Sequence, residues 1–235
     1  MQQPSSTAWK SRLSIPSYRI GEAASYAKVS TQTVAAWHKS QSKLAKSVLG
    51  ERTNGKGLSF LQLIEVAVVA EMRRSGVKLS EIKQARDYLV EKTGLDFPFA
   101  QLKFKTDGAD ILGEVEGPLG ETLTDRLLAF NHRGQLVWSE FLSSRLKTFN
   151  YDESGSVRTW KVAGEDKEIE IDPTLAFGAP QVDGVKTSLI KTRFSIGEEV
   201  DEISEDYAIT NEQVIEALLF EGLDRSNPRI SRWLN

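Results

Sequence analysis

The sequence predicts an α+β fold, and three observations carry that prediction. Residues 18–37 hold two short helical patterns separated by a tight turn, with small residues where the helices would cross. Residues 97–162 break into short apolar or alternating runs separated by turn signals such as Asp107-Gly108, His132-Arg133-Gly134 and Asp152–Gly155. Residues after 195 return to capped, amphipathic helical spacing. The expected order is an arm over 1–16, a helix-turn-helix module over 17–95, a β-rich middle region over 96–165, a small helix-turn-helix-like domain over 166–223 and a tail over 224–235.

The polar stretch Met1–Ser17 reads as a flexible arm. In the first module Ala23, Ala24 and Ala27 face inward on one helix, Val29 marks the turn, and Val34 and Trp37 anchor the second helix. Ser30 is a natural cap for that second helix, because its hydroxyl can accept from an amide left open at the helix start. This is the arrangement of a helix-turn-helix, which sets one helix in the DNA major groove. Lys39–Gly57 is polar and basic and reads as a hairpin wing beside the second helix or as a disordered loop. Ser59 and Gln62 form a capping box that opens a helix running to about Arg74. Its apolar residues leave almost no polar face, so it is expected to be buried as a core helix or a homodimer seam. Ser80 is expected to cap a further helix closed by Gly94.

In the middle region, strands are expected near Ala109–Val115, Arg126–Phe130, Gln135–Trp138, Leu146–Tyr151 and Val157–Val162, with a helix at Trp138–Leu146 an equal alternative for part of it. Glu168–Leu189 reads as short strands joined at Asp172-Pro173, Phe177-Gly178, Ala179-Pro180 and Asp183-Gly184. Ser195 with Glu198 and Thr210 with Gln213 read as capping boxes of two further helices, the first presenting Ile196, Val200 and Ile203 on one face and the second ending at Gly222. Asn227-Pro228 breaks any helix, so Arg225–Asn235 is expected to be a mobile tail.

Composition narrows the chemistry. The chain has 235 residues, 40% hydrophobic and 27% charged, which is ordinary for a globular protein. It has no cysteine, which removes disulfides and thiolate-bound zinc and fits a reducing cytoplasm. His38 and His132 are its histidines, little material for a catalytic triad or a His-rich metal site. No nucleophile–base pair, phosphate loop or metal spacing is apparent, so neither an enzyme nor a cofactor is expected. The apolar stretch 58–72 contains Gln62, Glu65 and Glu71 and is too short and too charged to span a bilayer, so no membrane partner is expected. The net charge is −3, but it is unevenly spread: residues 1–60 carry +7 and residues 161–216 carry −9. A basic head can meet phosphates, and an acidic rear module would be repelled by them.

Two resemblances sharpen these expectations. Ile20-Gly21-Glu22-Ala23-Ala24, Val29-Ser30 with Thr33-Val34, and Met72-Arg73-Arg74-Ser75-Gly76-Val77-Lys78-Leu79-Ser80-Glu81-Ile82-Lys83 resemble the winged helix-turn-helix of MerR-type regulators. Two departures stand out: Ala35 occupies the position where that family usually has Arg, and the Arg that normally opens the helix after the wing is missing around Gly57-Leu58. The fold therefore carries over better than the base contacts. Ile171-Asp172-Pro173, Phe177-Gly178-Ala179-Pro180, Val182-Asp183-Gly184, Asp201-Glu202-Ile203, Asp206-Tyr207, Ile209-Thr210 and Gln213–Leu218 resemble a small helix-turn-helix domain of unknown function found in many bacterial antitoxins. The pair of modules is similar to a large VapB-type antitoxin, and that resemblance implies a PIN-domain ribonuclease toxin as partner and operator DNA as ligand.

On this reading the DNA-binding candidates are Arg19, Thr31, Gln32, Thr33, His38 and Lys39 at the helix pair, with Lys43, Lys46, Arg52 and Lys56 in the wing reaching phosphates. The bland alternatives are a helix pair that only packs, and an exposed histidine at a helix end. Trp37 reads as a core anchor. A homodimer is expected, since such readers usually pair to span two half-sites. The acidic residues at 198–206 point to protein contact rather than DNA, or simply to a solvated face. The tail candidates for the toxin are Arg225, Arg229, Arg232 and Trp233, because Arg matches carboxylates bidentately and both residue types anchor interfaces. The rival functional class is a MerR-like regulator that responds to a small organic ligand through the middle region.

Overall fold

The computed structural model describes residues 8–39, 47–49, 57–101 and 147–234. The wing residues Lys43, Lys46, Arg52 and Lys56 lie outside the described residues. So do the expected strands at 109–115, 126–130 and 135–138, most of the alternative helix at 138–146, and His132. The chain divides into two compact units, Met1–Arg158 and Thr159–Asn235.

Unit 1 begins with helix α1 (Ala8–Leu13), which lies inside the segment expected to be a flexible arm. Leu13 is 4% exposed, and one buried leucine is enough to seat a short amphipathic turn that composition alone marks as polar. Helices α2 (Ile20–Tyr26) and α3 (Thr31–Trp37) follow, joined by a tight turn. Ala23, Ala24, Ala27, Val34 and Trp37 are buried there, as their spacing implied. The turn passes through Lys28 at φ 53, and the Val29 amide returns to the Ala24 carbonyl at 2.9 Å. Ser30 caps α3, its hydroxyl accepting from the Thr33 amide at 3.1 Å.

Tyr18 and Leu58 form an isolated antiparallel bridge, so the chain enters the helix pair and leaves the following segment side by side. The Leu58 amide donates to the Tyr18 carbonyl at 2.7 Å. A Cβ at Gly57 would stand 3.2 Å from that carbonyl, so the glycine permits the close approach. Helix α4 (Phe60–Arg74) then opens with the expected capping box: the Ser59 amide donates to Gln62 Oε1 at 2.9 Å and the Gln62 amide to Ser59 Oγ at 3.3 Å. Every residue from Phe60 to Ala70 is buried, including Gln62 and Glu65. That burial lies within one chain, so α4 is the core helix of unit 1.

Helix α5 (Leu79–Thr93) starts one residue before Ser80, with Lys78 at the cap position, and the Lys78 amide donates to the Glu81 carboxylate at 3.0 Å. Ser80 is thus inside the helix; Glu81 supplies the acceptor that the sequence suggested a serine would. Gly94 closes α5 at φ 69. Short helix α6 (Pro98–Gln101) packs on α4 and α5. Strands β1 (Phe149–Tyr151) and β2 (Val157–Trp160) pair around a turn held by Asp152, whose Oδ1 accepts from the Ser154 and Ser156 amides at 2.9 Å each. Lys10 of α1 reaches the same turn, 3.4 Å from the Asp152 carboxylate.

In unit 2 the Trp160 and Ile171 backbones pair in a bridge, as do Glu170 and Gln181. A one-turn 3₁₀ helix (Ala176–Gly178) precedes the β3 (Gln181–Val182) and β4 (Val185–Lys186) hairpin. Asp183 at φ 47 and Gly184 at φ 82 make its two-residue turn, the left-handed pair that matches strand twist.

Three helices build the rest: α7 (Thr187–Ser195), α8 (Val200–Tyr207) and α9 (Asn211–Phe220). The expected helix start at Ser195 is corrected here. Ser195 is the last residue of α7, Gly197 at φ 114 separates the helices, and Glu199 caps α8 with Glu202. Ile196 accordingly stands 74% exposed instead of joining Val200 and Ile203 in the core. The strand reading of 187–189 is corrected as well, since those residues open α7. Thr210 and Gln213 form the expected capping box of α9. The core of unit 2 gathers Val182, Ile190, Phe194, Val200, Ile203, Val214, Leu218 and Ile230.

Candidate nucleic-acid and partner interfaces

The first candidate site is the outer face of α2 and α3. Thr31 and Gln32 lie exposed on the first turn of α3, and Arg19 and Lys39 are exposed just before α2 and just after α3. Thr33 is half-buried, its hydroxyl 2.8 Å from Ser30 Oγ, so it helps close the cap. His38 ends α3 half-buried. Lys28, in the turn, is a further exposed cation that the residue pattern did not single out. Ala35 is half-buried and Ala36 exposed on the same helix.

The helix pair is braced from behind. Arg74, at the end of α4, donates to the Ala27 carbonyl at the end of α2 and pairs with Glu71. Arg73 donates to the Val77 carbonyl at 2.6 Å and holds the α4–α5 turn. These two arginines stand in a motif that resemblance alone made notable; the contact of Arg74 spans 47 residues, so no local pattern gives its role. Behind them Glu65, 1% exposed, meets Arg86 Nε at 2.9 Å and accepts from the Phe99 amide at 3.1 Å. Burial pushes the Glu65 pKa up to about 6, against the opposing pull of Arg86 and the Phe99 hydrogen bond.

The second candidate site is the tail, and here the structure corrects the sequence. Residues Pro228–Ser231 form helix α10, capped by Asn227, and Ile230 is fully buried in the unit 2 core. The proline that breaks a continuing helix sits at the first turn of a new one, where its missing N–H costs nothing. Arg229 is engaged within unit 2. Its Nε lies 3.0 Å from Glu199 Oε1, its Nη1 donates to the Phe194 carbonyl at 3.0 Å, its Nη2 donates to the Glu198 carbonyl, and its guanidinium stacks 3.9 Å from the Phe194 ring centroid. Trp233 is half-buried against the same core. Arg232 pairs with Glu199 at 2.6 Å yet keeps half its side chain exposed, and Arg225 is exposed.

The acidic cluster is therefore partly neutralised from within. Arg193 joins Glu198 and Asp206 and lies over Tyr207, while Arg229 and Arg232 share Glu199. Asp201, Glu202 and Glu205 remain exposed on α8. Among the described residues there is no group of three acidic or histidine side chains placed to hold a metal ion, and no helix long and apolar enough to cross a membrane.

No family model matches the chain. It is 26% identical over 227 residues to a Mycobacterium tuberculosis protein named "Putative antitoxin VapB45", an alignment covering 88% of this chain and 94% of that one. The fold is similar to the crystal structure of Rv2018 from Mycobacterium tuberculosis, with a TM-score of 0.65, 23% identity and coverage of 88% of this chain and 99% of that one.

Proposed function

We propose that this chain is the antitoxin of a type II toxin–antitoxin system, which binds operator DNA through a winged helix-turn-helix in unit 1 and inhibits a PIN-domain ribonuclease through unit 2. The observation that carries the DNA half is the α2–α3 pair, a capped helix with an exposed polar first turn in a segment of charge +7. Arg19, Thr31, Gln32, Lys39 and Lys28 form the face that meets DNA, with the wing lysines and Arg52 supplying phosphate contacts. The relative named as an antitoxin, matched along nearly its whole length, supports the toxin half. In the tail Arg225 and Arg232 are the arginines offered to the toxin; Arg229 and Trp233 hold α10 in place. The DNA-bound form is a homodimer reading two half-sites.

Two assays test this together. The chain retards its own operon's upstream DNA over a scrambled duplex by at least a hundredfold in affinity, and it suppresses RNA cleavage by the ribonuclease of that operon. Retention of operator preference after removal of the exposed side chains Arg19, Gln32 and Lys39 would overturn the DNA reading. Full ribonuclease activity in the presence of excess chain would overturn the antitoxin reading.

A further inference from the structure

Helix α2 is fixed to the core helix α4 at both of its ends. At its start the Tyr18 and Leu58 backbones pair, and Leu58 lies two residues before α4. At its end the guanidinium of Arg74, the last residue of α4, divides its donors: Nη2 donates to the Ala27 carbonyl and Nη1 to the Glu71 carboxylate. Ala27 is the C-cap of α2, where a carbonyl has no helical amide to accept from and a cation is favoured by the helix dipole. Glu71 stands one turn back on the same helix as Arg74, with its side chain 12% exposed. The guanidinium is thus oriented by its own helix before it reaches across to α2.

This contact matters because of what it steadies. The buried face of α2 is Ala23, Ala24 and Ala27, small side chains that allow close approach and leave low ridges to resist a tilt. Helix α3 packs on α2 and makes little contact with α4, so its start takes its position from α2 and from the turn between them. That turn begins at Lys28, the residue after Ala27, whose φ of 53 is a left-handed conformation that a side chain with a Cβ resists. Exposed Thr31 and Gln32 lie just beyond it, on the first turn of α3.

We infer that Arg74 is a positioning residue for sequence recognition: oriented by Glu71, it clamps the C-cap carbonyl of α2 and so sets the angle at which the start of α3 meets base edges. This rests on the DNA-binding reading above. Base readout needs donors and acceptors placed within hydrogen-bond geometry, whereas long, flexible cations follow a phosphate through a small shift. Loosening the clamp therefore costs preference for the operator and spares general affinity for duplex.

The test uses the full-length chain with the duplex upstream of its own operon and a scrambled duplex, by fluorescence anisotropy across a salt series. Arg74→Lys keeps the charge but offers one nitrogen where the clamp uses two. Glu71→Gln keeps Arg74, removes the carboxylate that orients it, and takes away no cation. Each should lower the ratio of operator to scrambled affinity about tenfold. Scrambled affinity and salt slope should be unchanged for Arg74→Lys, and scrambled affinity unchanged or raised for Glu71→Gln. Wild-type preference in both variants would overturn the clamp while leaving the DNA reading standing. Preference kept in Arg74→Lys, with a slope flattened by about 0.9 in Arg74→Met, would make Arg74 a phosphate contact and overturn the proposal. An equal loss on both duplexes, matched by a lower melting temperature, would mark a folding role alone and overturn it likewise. A wild-type chain without operator preference would overturn both this proposal and the DNA reading.

Discussion

At the scale of single residues, Glu65 links burial to pH. Its carboxylate is on the core helix α4, and its partners come from the two elements packed there: the Arg86 guanidinium from α5 and the Phe99 amide from α6. Its pKa of about 6 lies above the ordinary 4.5, so between those values the folded chain holds a proton that the unfolded chain releases. The contribution to stability is therefore fully present below pH 4.5 and is lost as pH rises through 6. Urea unfolding at stepped pH should show this component in the wild type and not in Glu65→Gln. Arg86→Met removes the strongest influence holding the pKa down, so its loss of stability should begin at the same pH but continue to higher pH than in the wild type. Identical pH profiles for all three proteins would show that Glu65 does not titrate in this range.

At the scale of elements, α10 behaves as part of the unit 2 core and not as an appendage. Arg229→Ala should lower the unfolding free energy of unit 2 by roughly 1.5–3 kcal/mol, the range for hydrogen bonds to a charged group, and deletion of residues 225–235 should cost more because it also removes buried Ile230. Circular dichroism during denaturant titration would check both, and an unchanged midpoint for Arg229→Ala would show that the guanidinium contacts are not formed in solution. The contrast with the elements read correctly from sequence is physical. Ser30, Ser59, Thr210 and the Asp183-Gly184 turn satisfy their own backbone within three residues, so their chemistry is written locally. Arg229 answers to Glu199, 30 residues away, and Arg74 to Ala27, 47 away. The same reason hid Gly197: a glycine that stops α7 looks, in sequence, like one inside a capping motif that starts α8. The candidate DNA face was legible because it follows from helical spacing.

At the scale of the whole molecule, the division of charge makes a quantitative demand. If residues 1–60, at +7, meet the duplex while residues 161–216, at −9, do not, then counterion release must come from the front of the chain alone. Each phosphate neutralised by a cation contributes about 0.9 to the slope of log affinity against log salt concentration. Arg19→Ala and Lys39→Ala, both exposed, should each flatten that slope by nearly one and weaken binding to operator and scrambled duplex alike. Gln32→Ala offers no charge, so it should leave the slope alone and reduce only the preference for operator. Asp201→Asn with Glu205→Gln removes two exposed carboxylates from α8 and should leave both slope and affinity for DNA unchanged. The same double variant should slow association with the ribonuclease, because long-range attraction acts on encounter more than on the bound state. Fluorescence anisotropy across a salt series, with stopped-flow mixing for the ribonuclease, reads all four. A DNA slope that responds to the α8 carboxylates and ignores Arg19 and Lys39 would place the duplex on unit 2 and reverse the assignment of the two units.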